Sequence, residues 1–395
     1  MKNIALLFIS GLLFLVACNS NDDNTNNTSS KRTVNWNTAA DSSSSSLVIH
    51  FWNFDNSRLY FNNNSGASNN WTGNYWPQAH ALDVLVDAYL RTGDNFYLNI
   101  INNWVVGVRR ANGNRWINNF IDDMEWIGLA AFRAYKATGD ENFLTACRDV
   151  WDGTTTDMSD NNAAFGIKRA WTNAGGGGLF WESRNNRHSK NACSNAPAAI
   201  LAAFLYNEFK DPEDLDWAMR IYSWQKQNLF NATTGAVYDN LNTNTNVTQK
   251  DWIFTYNQGT FLGAALELYK ITGEKSYIID ATKAADYTLS VLVNSADGLL
   301  KSEGGGDGGL FKGIFIRYFT QLIMSDALSD NARLRYISFL KQNGEVLWLE
   351  GTNKQNVLFG TYWRTPPEGS AGLTEHLSGC MLIEALALLQ KKEML

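Results

Sequence analysis

Two adjacent carboxylates, Asp122 and Asp123, are the side chains of this sequence whose type and spacing best suit a chemical reaction. An apolar pattern of helical period follows them from Met124, so both are expected at the start of a helix. A helix needs only one N-cap residue, so two adjacent carboxylates are more than capping requires. The alternative interpretation is that the two residues only cap the helix and place negative charge at the positive end of its dipole.

Paired carboxyl groups are the machinery of glycoside cleavage, in which one group is ionised and the other carries a proton. Consecutive residues at a helix start diverge by roughly 100° and can reach the two sides of one sugar C–O bond. The helix dipole favours the ionised form of one group, whose charge raises the proton affinity of its neighbour. We therefore expect a coupled pair, although the spacing alone does not assign the role of either residue.

Composition and charge exclude several other classes of protein. The net charge of −6 is mixed along the chain without a basic stripe, which argues against nucleic acid as a partner. The glycine-rich runs at 175–178 and 304–309 lack the Lys-Ser/Thr of a phosphate-binding loop. No CxxC or HxxxH spacing occurs, and the three cysteines beyond residue 18 are widely separated. We therefore expect no disulfide framework, no metal and no cofactor.

The N-terminus has the pattern of an export signal. Residues 1–18 combine Lys2, a short apolar run and Leu15-Val16-Ala17-Cys18, which resembles the lipobox of bacterial lipoproteins. The run is too short to span a bilayer, but a lipidated Cys18 would anchor the chain to the membrane. The alternative is an ordinary cleaved signal with an incidental cysteine. Residues 19–41 are predicted to be a disordered tether, and their early acidic residues favour the outer face of the outer membrane.

From residue 42 onward the chain has a helical pattern almost throughout, and part of it is repeated. Segments 88–98, 134–144 and 268–278 share a Thr-Gly-Asp or Thr-Gly-Glu centre. The glycines at 93, 139 and 273 suit a left-handed C-cap that ends one helix. Asp94 and Asp140 can then cap the next helix. Each repeat therefore predicts a helical hairpin.

The helical pattern predicts an all-α fold. Twelve helices are expected near 44–63, 77–91, 95–109, 121–138, 141–152, 193–209, 213–229, 257–271, 275–292, 308–326, 329–342 and 372–391. Six hairpins that close on themselves make an (α/α)6 barrel, and an open helical solenoid is the rival architecture. We predict one catalytic domain over residues 42–395, with its site built by the long loops at one end of the barrel.

The helical hairpins and the Asp-Asp pair before Met124-Glu125-Trp126 together resemble glycoside hydrolase family 76, over most of residues 42–391. That resemblance implies an endo-acting α-1,6-mannanase with a retaining mechanism. It also implies that Asp122 is the nucleophile and Asp123 the acid/base. The implied partner is α-mannan of the fungal cell-wall type.

Further segments that match the family are 74–79, 175–182, 194–197, 256–259 and 312–317. By this resemblance the candidate substrate-binding residues are Trp76, Trp181, Asn195, Tyr256, Asn257, Gln258, Lys312 and Arg317. Indole faces suit the C–H face of a sugar ring, and amides suit its hydroxyl groups. The structural alternatives are core packing for the Trp residues, helix caps for the amides and salt bridges for the cations. Phe180 departs from the family, which often has a second Trp there.

Two other functions remain open from the sequence. A mannan transglycosylase would use the same carboxylates, since transfer and hydrolysis share the first step. A non-catalytic glycan-binding lipoprotein would use the loop Trp residues as platforms and the aspartates as caps.

Overall fold

The computed structural model describes residues 33–55, 57–65, 75–153, 165–184 and 186–395. Residues 35–395 form one compact unit. Cys18 and the rest of the proposed signal lie outside the described residues. Within these ranges, every helix is too short or too polar to cross a membrane.

The described ranges contain twelve α-helices, joined by irregular segments and five short strands. The helices are α1 (Trp36–Phe51), α2 (Tyr75–Thr92), α3 (Asn95–Ala111), α4 (Ile121–Thr138), α5 (Glu141–Asp152), α6 (Ala196–Phe209), α7 (Pro212–Leu229), α8 (Thr255–Thr272), α9 (Lys275–Val291), α10 (Asp307–Ile323), α11 (Asp330–Leu349) and α12 (Leu373–Lys391).

The six even-numbered helices form a closed inner ring. Around this ring α2 packs against α4, α4 against α6, α6 against α8, α8 against α10 and α10 against α12, which returns to α2. The odd-numbered helices lie outside it, each packed against one or both of its sequence neighbours, such as α5 on α4 and α9 on α8. The prediction of an all-α (α/α)6 barrel is confirmed.

Burial separates the inner from the outer helices. In α6 every residue of 196–203 is buried, and α12 is buried over most of its circumference. The outer helix α3 instead buries a single stripe, with Tyr97, Ile100, Ile101 and Trp104 at helical spacing. An inner helix meets neighbours on all sides, whereas an outer helix keeps one face in water.

The repeated segments form the hairpins that the sequence predicts. Gly139 ends α4 with φ 74° and Gly273 ends α8 with φ 73°, the left-handed conformation in which glycine has no Cβ penalty. The side chain of Asp140 then accepts a hydrogen bond from Asn142 N at 2.9 Å and caps α5. Asp94 caps α3 in the same way, through Phe96 N at 2.8 Å.

The first helix corrects two sequence-based boundaries. The prediction of a tether over 19–41 is wrong from residue 36, because α1 begins at Trp36. The prediction of a helix near 44–63 is wrong at its end, because α1 ends at Phe51. Asn35 caps α1, with its side chain accepting from Thr38 N at 3.1 Å. The serine-rich sequence hides this helix, since Ser44 is buried and donates to Glu384 Oε1 on α12 at 2.6 Å.

The short strands organise two of the long connections. β1 (Ser189–Asn191), β2 (Asn240–Asn242) and β3 (Val247–Thr248) form an antiparallel sheet in that order. Its first pairing sets Ser189 opposite Asn242, so the segment before α6 is tied to the segment after α7. A second antiparallel pair joins β4 (Thr352–Asn353) to β5 (Leu358–Phe359).

Replacing Gly259 by alanine tests how tightly the inner ring is closed. A Cβ atom there would lie 2.6 Å from Cα of Phe315 on α10, closer than two carbon atoms can pack. In an exposed helix the same change stabilises by about 1 kcal/mol. Here we expect overpacking to lower the free energy of unfolding by about 1–3 kcal/mol, measured by chemical denaturation.

Ser290→Ala, on the exposed face of α9, is the control and should change stability by less than about 0.5 kcal/mol. If Gly259→Ala is as stable as the wild type, the contact between α8 and α10 is looser than described.

Candidate active site

A cleft of about 620 Å³ opens at the end of the barrel where the inner helices begin. Trp76 of α2, Asp122 and Asp123 of α4, Tyr256 of α8 and Asp307 of α10 all line it, and each lies in the first turn of its helix. The N-terminal ends of these helices therefore converge on one site. Because a helix N-terminus carries partial positive charge, this end of the barrel favours carboxylates and other anions.

Asp122 and Asp123 occupy the first turn of α4 without being its N-cap. The N-cap residue is Phe120, which makes no side-chain capping bond. Both carboxyl-bearing side chains are partly exposed to the cleft. The pair therefore does not cap α4, although both carboxyl groups lie at the positive end of its dipole.

Asp122 is held on one side only. Trp181 Nε1 donates to its Oδ2 at 3.3 Å, and Cys193 Sγ lies 3.5 Å from the same oxygen. Its Oδ1 is buried and has no hydrogen-bond partner among the described residues. Burial raises the pKa of Asp122 to about 6, against the opposing effect of the hydrogen bonds from Cys193 and Trp181.

Asp123 has the opposite electrostatic surroundings. Burial raises the pKa of its carboxyl well above the ordinary value, and the negative charges of Asp122 and Asp307 raise it further. Asp307 accepts from Trp76 Nε1 at 3.2 Å, so it is fixed beside the cleft floor. At a pH where Asp122 is ionised, Asp123 therefore keeps its proton.

Aromatic rings form much of the cleft. Tyr256 stacks on Phe311, with ring centroids 3.9 Å apart and planes 7° from parallel. Trp252 stands at the edge of the cleft and is 54% exposed, which is unusual for so large an apolar side chain. The other aromatic lining residues are Trp76, Phe120, Trp126, Trp181 and Phe254. Trp76, Trp181 and Tyr256 thus lie where a bound sugar could reach them, and their contact with sugar stays a prediction.

Three predicted amide ligands lie outside the set of residues that line this cleft. Asn195, Asn257 and Gln258 are fully buried. Gln258 bonds both N and O of Val237, and Asn195 does the same for Leu179. Asn257 Nδ2 donates to Asp239 Oδ1 at 3.0 Å. Irregular segments leave backbone groups without partners, and the side chains of Asn195 and Gln258 satisfy them here.

The two predicted cationic ligands, Lys312 and Arg317, also lie outside the lining of this cleft. Arg317 Nη2 lies 3.0 Å from Asp87 Oδ2 and lines a second cavity, with Arg133 and Glu384. It is ten residues beyond Asp307, and therefore about 15 Å farther along α10. Lys312 donates to Thr361 O at 2.7 Å and lies 4.2 Å from the Trp363 ring centroid, and burial lowers its pKa to about 7.

Several cleft residues escape sequence-based prediction. Asp307 begins α10 directly after a glycine run, so a search for acids at inner-helix starts could have found it. Asp239 lies in an irregular segment and Cys193 in the short helical turn Ala192–Ser194, and neither position carries such a signal. Burial raises the pKa of Asp239, which accepts from Asn257 and Asn240. Within the described ranges, no cluster of three or more His, Cys, Asp or Glu is arranged to hold a metal ion.

The chain is similar to solved structures over most of its length. The GH76A α-1,6-mannanase from Salegentibacter sp. HEL1_6 is 40% identical with a TM-score of 0.82, covering 90% of this chain and 100% of that one. An inactive variant of that enzyme, with two consecutive aspartates replaced by alanine, is known in complex with α-1,6-mannotetrose. It is 39% identical with a TM-score of 0.82, covering 90% of this chain and 100% of that one.

A curated yeast protein is similar over a shorter segment. The mannan endo-1,6-α-mannosidase DCW1 of Candida glabrata is 35% identical over 106 residues, which are 25% of this chain and 23% of that protein. The model of glycosyl hydrolase family 76 matches residues 35–395. This match begins at the residue that caps α1 and includes all twelve helices. The chain therefore belongs to glycosyl hydrolase family 76 and is a glycoside hydrolase.

Proposed function

We propose that this protein is an endo-acting, retaining α-1,6-mannanase in which Asp122 is the nucleophile and Asp123 the acid/base. The observation that supports these roles most directly is the contrast between the two carboxyl groups. One receives two hydrogen bonds on a single oxygen, while the other lies beside two negative charges. The first arrangement favours an ionised nucleophile, and the second favours a proton donor.

The first step is displacement at the anomeric carbon. A carboxylate oxygen of Asp122 attacks C1 of the mannosyl unit and forms a C1–O bond. The bond from C1 to the leaving glycosidic oxygen breaks, and that oxygen takes the proton of Asp123. The products of this step are a released sugar hydroxyl, a glycosyl ester on Asp122 and an ionised Asp123.

The second step reverses these roles. Asp123 takes a proton from water, whose oxygen attacks C1 while the bond to Asp122 breaks. Two displacements at one carbon restore the original anomeric configuration. The proton returns to Asp123, and Asp122 is again ionised.

The substrate class follows from the cleft and from the relatives. An open cleft with aromatic walls can accept a chain that continues beyond the scissile bond, which suits endo cleavage. The Salegentibacter relative is an α-1,6-mannanase, and its inactive variant binds α-1,6-mannotetrose. These observations support α-1,6-mannan as the substrate. Acceptor transfer remains a possible outcome of the same glycosyl ester.

We also propose that Cys18 carries a lipid anchor that holds the enzyme on the outer face of the outer membrane. The support is the Leu15-Val16-Ala17-Cys18 sequence followed by polar residues. Labelled palmitate fed to expressing cells should enter the protein through Cys18. Label of equal intensity in Cys18→Ala protein would contradict the anchor.

The roles of the two aspartates can be separated with two leaving groups. Asp122→Ala should lose activity on both α-1,6-mannan and an aryl α-1,6-mannobioside. Asp123→Ala should lose roughly 10²- to 10⁴-fold on mannan. It should still form the glycosyl ester from the aryl substrate, because an activated phenol leaves without a proton. Azide should then accelerate turnover and give an α-mannosyl azide.

Product sizing decides among the related functions. Hydrolysis gives shorter reducing oligosaccharides from internal cleavage, whereas transglycosylation gives longer products when acceptor is abundant. Binding to mannan without any new reducing end would identify a glycan-binding protein and would overturn the proposal.

The pH profile should be bell-shaped, with limbs set by the same pair. Asp122 must be ionised, so kcat/KM should rise through about pH 6. Asp123 must be protonated, so the rate should fall at higher pH. Asp307→Asn keeps an acceptor for Trp76 but removes one negative charge near Asp123. It should therefore move the alkaline limb to lower pH and leave the acidic limb in place.

Because Asp307 is exposed, the displacement of the alkaline limb should be larger at low ionic strength than at high. An alkaline limb that Asp307→Asn leaves unchanged at low salt would show that Asp123 is not the group that titrates there.

A further inference from the structure

Cys193 is a buried thiol at the edge of the reaction centre, and the proposed chemistry gives it no step. It lies on the short turn Ala192–Ser194 that precedes α6, and only 2% of its surface is exposed. Its Sγ is 3.5 Å from Asp122 Oδ2, the oxygen that also accepts from Trp181 Nε1. Two donors thus meet at one carboxylate oxygen.

We propose that Cys193 is a positioning residue which, together with Trp181, holds Oδ2 of Asp122 and so fixes the orientation of the carboxylate. This inference rests on the proposed role of Asp122 as the nucleophile. A carboxylate can rotate and present either oxygen, and holding one of them makes the attacking geometry unique. Hydrogen bonds to a carboxylate also favour its ionised form, which the attack requires.

A thiol at this position remains a hydrogen-bond donor. Burial, followed by the negative charges of Asp122 and Asp239, raises the pKa of Cys193 well above its ordinary value. The thiol therefore keeps its proton across the working pH range and has one S–H to give. The Tyr256 phenol lies close to the same thiol, and burial raises its pKa well above the ordinary value. Cys193 Sγ donates to Asp122 Oδ2 at 3.5 Å.

The buried amide of Asn195 fixes the positions of the two donors, Cys193 and Trp181, relative to each other. Asn195 Nδ2 donates to Asn191 O at 2.7 Å and to Leu179 O at 3.1 Å, while its Oδ1 accepts from Leu179 N at 2.9 Å. These bonds join the segment that carries Cys193 to the segment that carries Trp181. The carbonyl of Trp181 in turn accepts from Ile121 N at 2.9 Å, at the start of α4. The donors and the acceptor therefore belong to one bonded unit.

Other titratable groups around Asp122 have to be considered in any pH experiment. They are Asp123 and Glu125 on α4 and Cys193, Tyr256, Asp239 and Asp307 from the neighbouring segments. Burial raises the pKa of Glu125 well above its ordinary value, so it stays neutral together with the thiol and the phenol. The acidic limb of kcat/KM thus reports chiefly the ionisation of Asp122.

The test compares Cys193→Ala, Cys193→Ser and the wild type by kcat, KM and pH profile on α-1,6-mannan. Cys193→Ala should lower kcat roughly three- to thirtyfold, less than for a strong donor because S–H is a weak one. It should also move the acidic limb to higher pH and change KM little. Cys193→Ser, which retains a donor, should recover most of kcat and move the limb back.

Cys147→Ala is the matched control, since Cys147 is equally buried but bonds Gly128 O at 3.2 Å, away from the cleft. It can lower the melting temperature but should leave the pH profile unchanged. Trp181→Phe removes the other donor to Oδ2 and should move the acidic limb in the same direction as Cys193→Ala. It also keeps the proposal testable if the alanine variant does not fold.

Asp122→Ala, assayed in parallel, distinguishes failure of the positioning role of Cys193 from failure of the nucleophile role of Asp122. If it abolishes activity while folded Cys193→Ala keeps the wild-type kcat and acidic limb, the positioning role is wrong and the nucleophile stands. An unchanged limb in Trp181→Phe would likewise contradict the role of donors on Oδ2. If Asp122→Ala remains active, the proposed function itself fails.

Discussion

Closure of six helices into a ring, with their N-terminal ends on the same face, is the constraint on which the rest of this molecule depends. Burial of the inner helices on all sides gives the barrel its stability and leaves little freedom for any of them to shift. The first turns of α2, α4, α8 and α10 then meet at one cleft. Their dipoles add to a positive field there, which favours carboxyl-bearing side chains at this end.

The place of α4 in the ring explains how two consecutive residues acquire different chemistry. This helix packs between α6 and α2. Asp122 points to the α6 side, where Trp181 and Cys193 donate to it, and Asp123 to the side of Asp307 and Trp76. Rotation of about 100° per residue is enough to separate these surroundings. Neighbouring carboxyl groups can thus share one cleft while their protonation states differ.

The sequence predicts the architecture better than the site. The glycine caps at 93, 139 and 273 and the aspartates after two of them reveal the hairpins, because local chain chemistry alone decides them. The polar composition of α1 hides its start. Its buried serines bond residues that are distant in sequence, as Ser44 bonds Glu384, so the apolar pattern does not reveal the helix. Asn195 and Gln258 look like ligands, but backbone groups of irregular segments use them. The five-residue spacing of Lys312 and Arg317 cannot tell which end of the barrel either one faces. The positions of Asp239 and Cys193 in the cleft depend on the conformation of connecting segments, and such segments have no periodic sequence pattern that would predict it.

The role of Asp122 as the nucleophile can be tested by locating the covalent intermediate. The enzyme would be incubated with a fluorinated mannobiosyl fluoride whose glycosyl ester is released slowly, then digested and analysed by peptide mass spectrometry. We expect a single mannobiosyl adduct on Asp122. An adduct on Asp123 or Asp307, or turnover that inverts the anomeric configuration without any adduct, would contradict it.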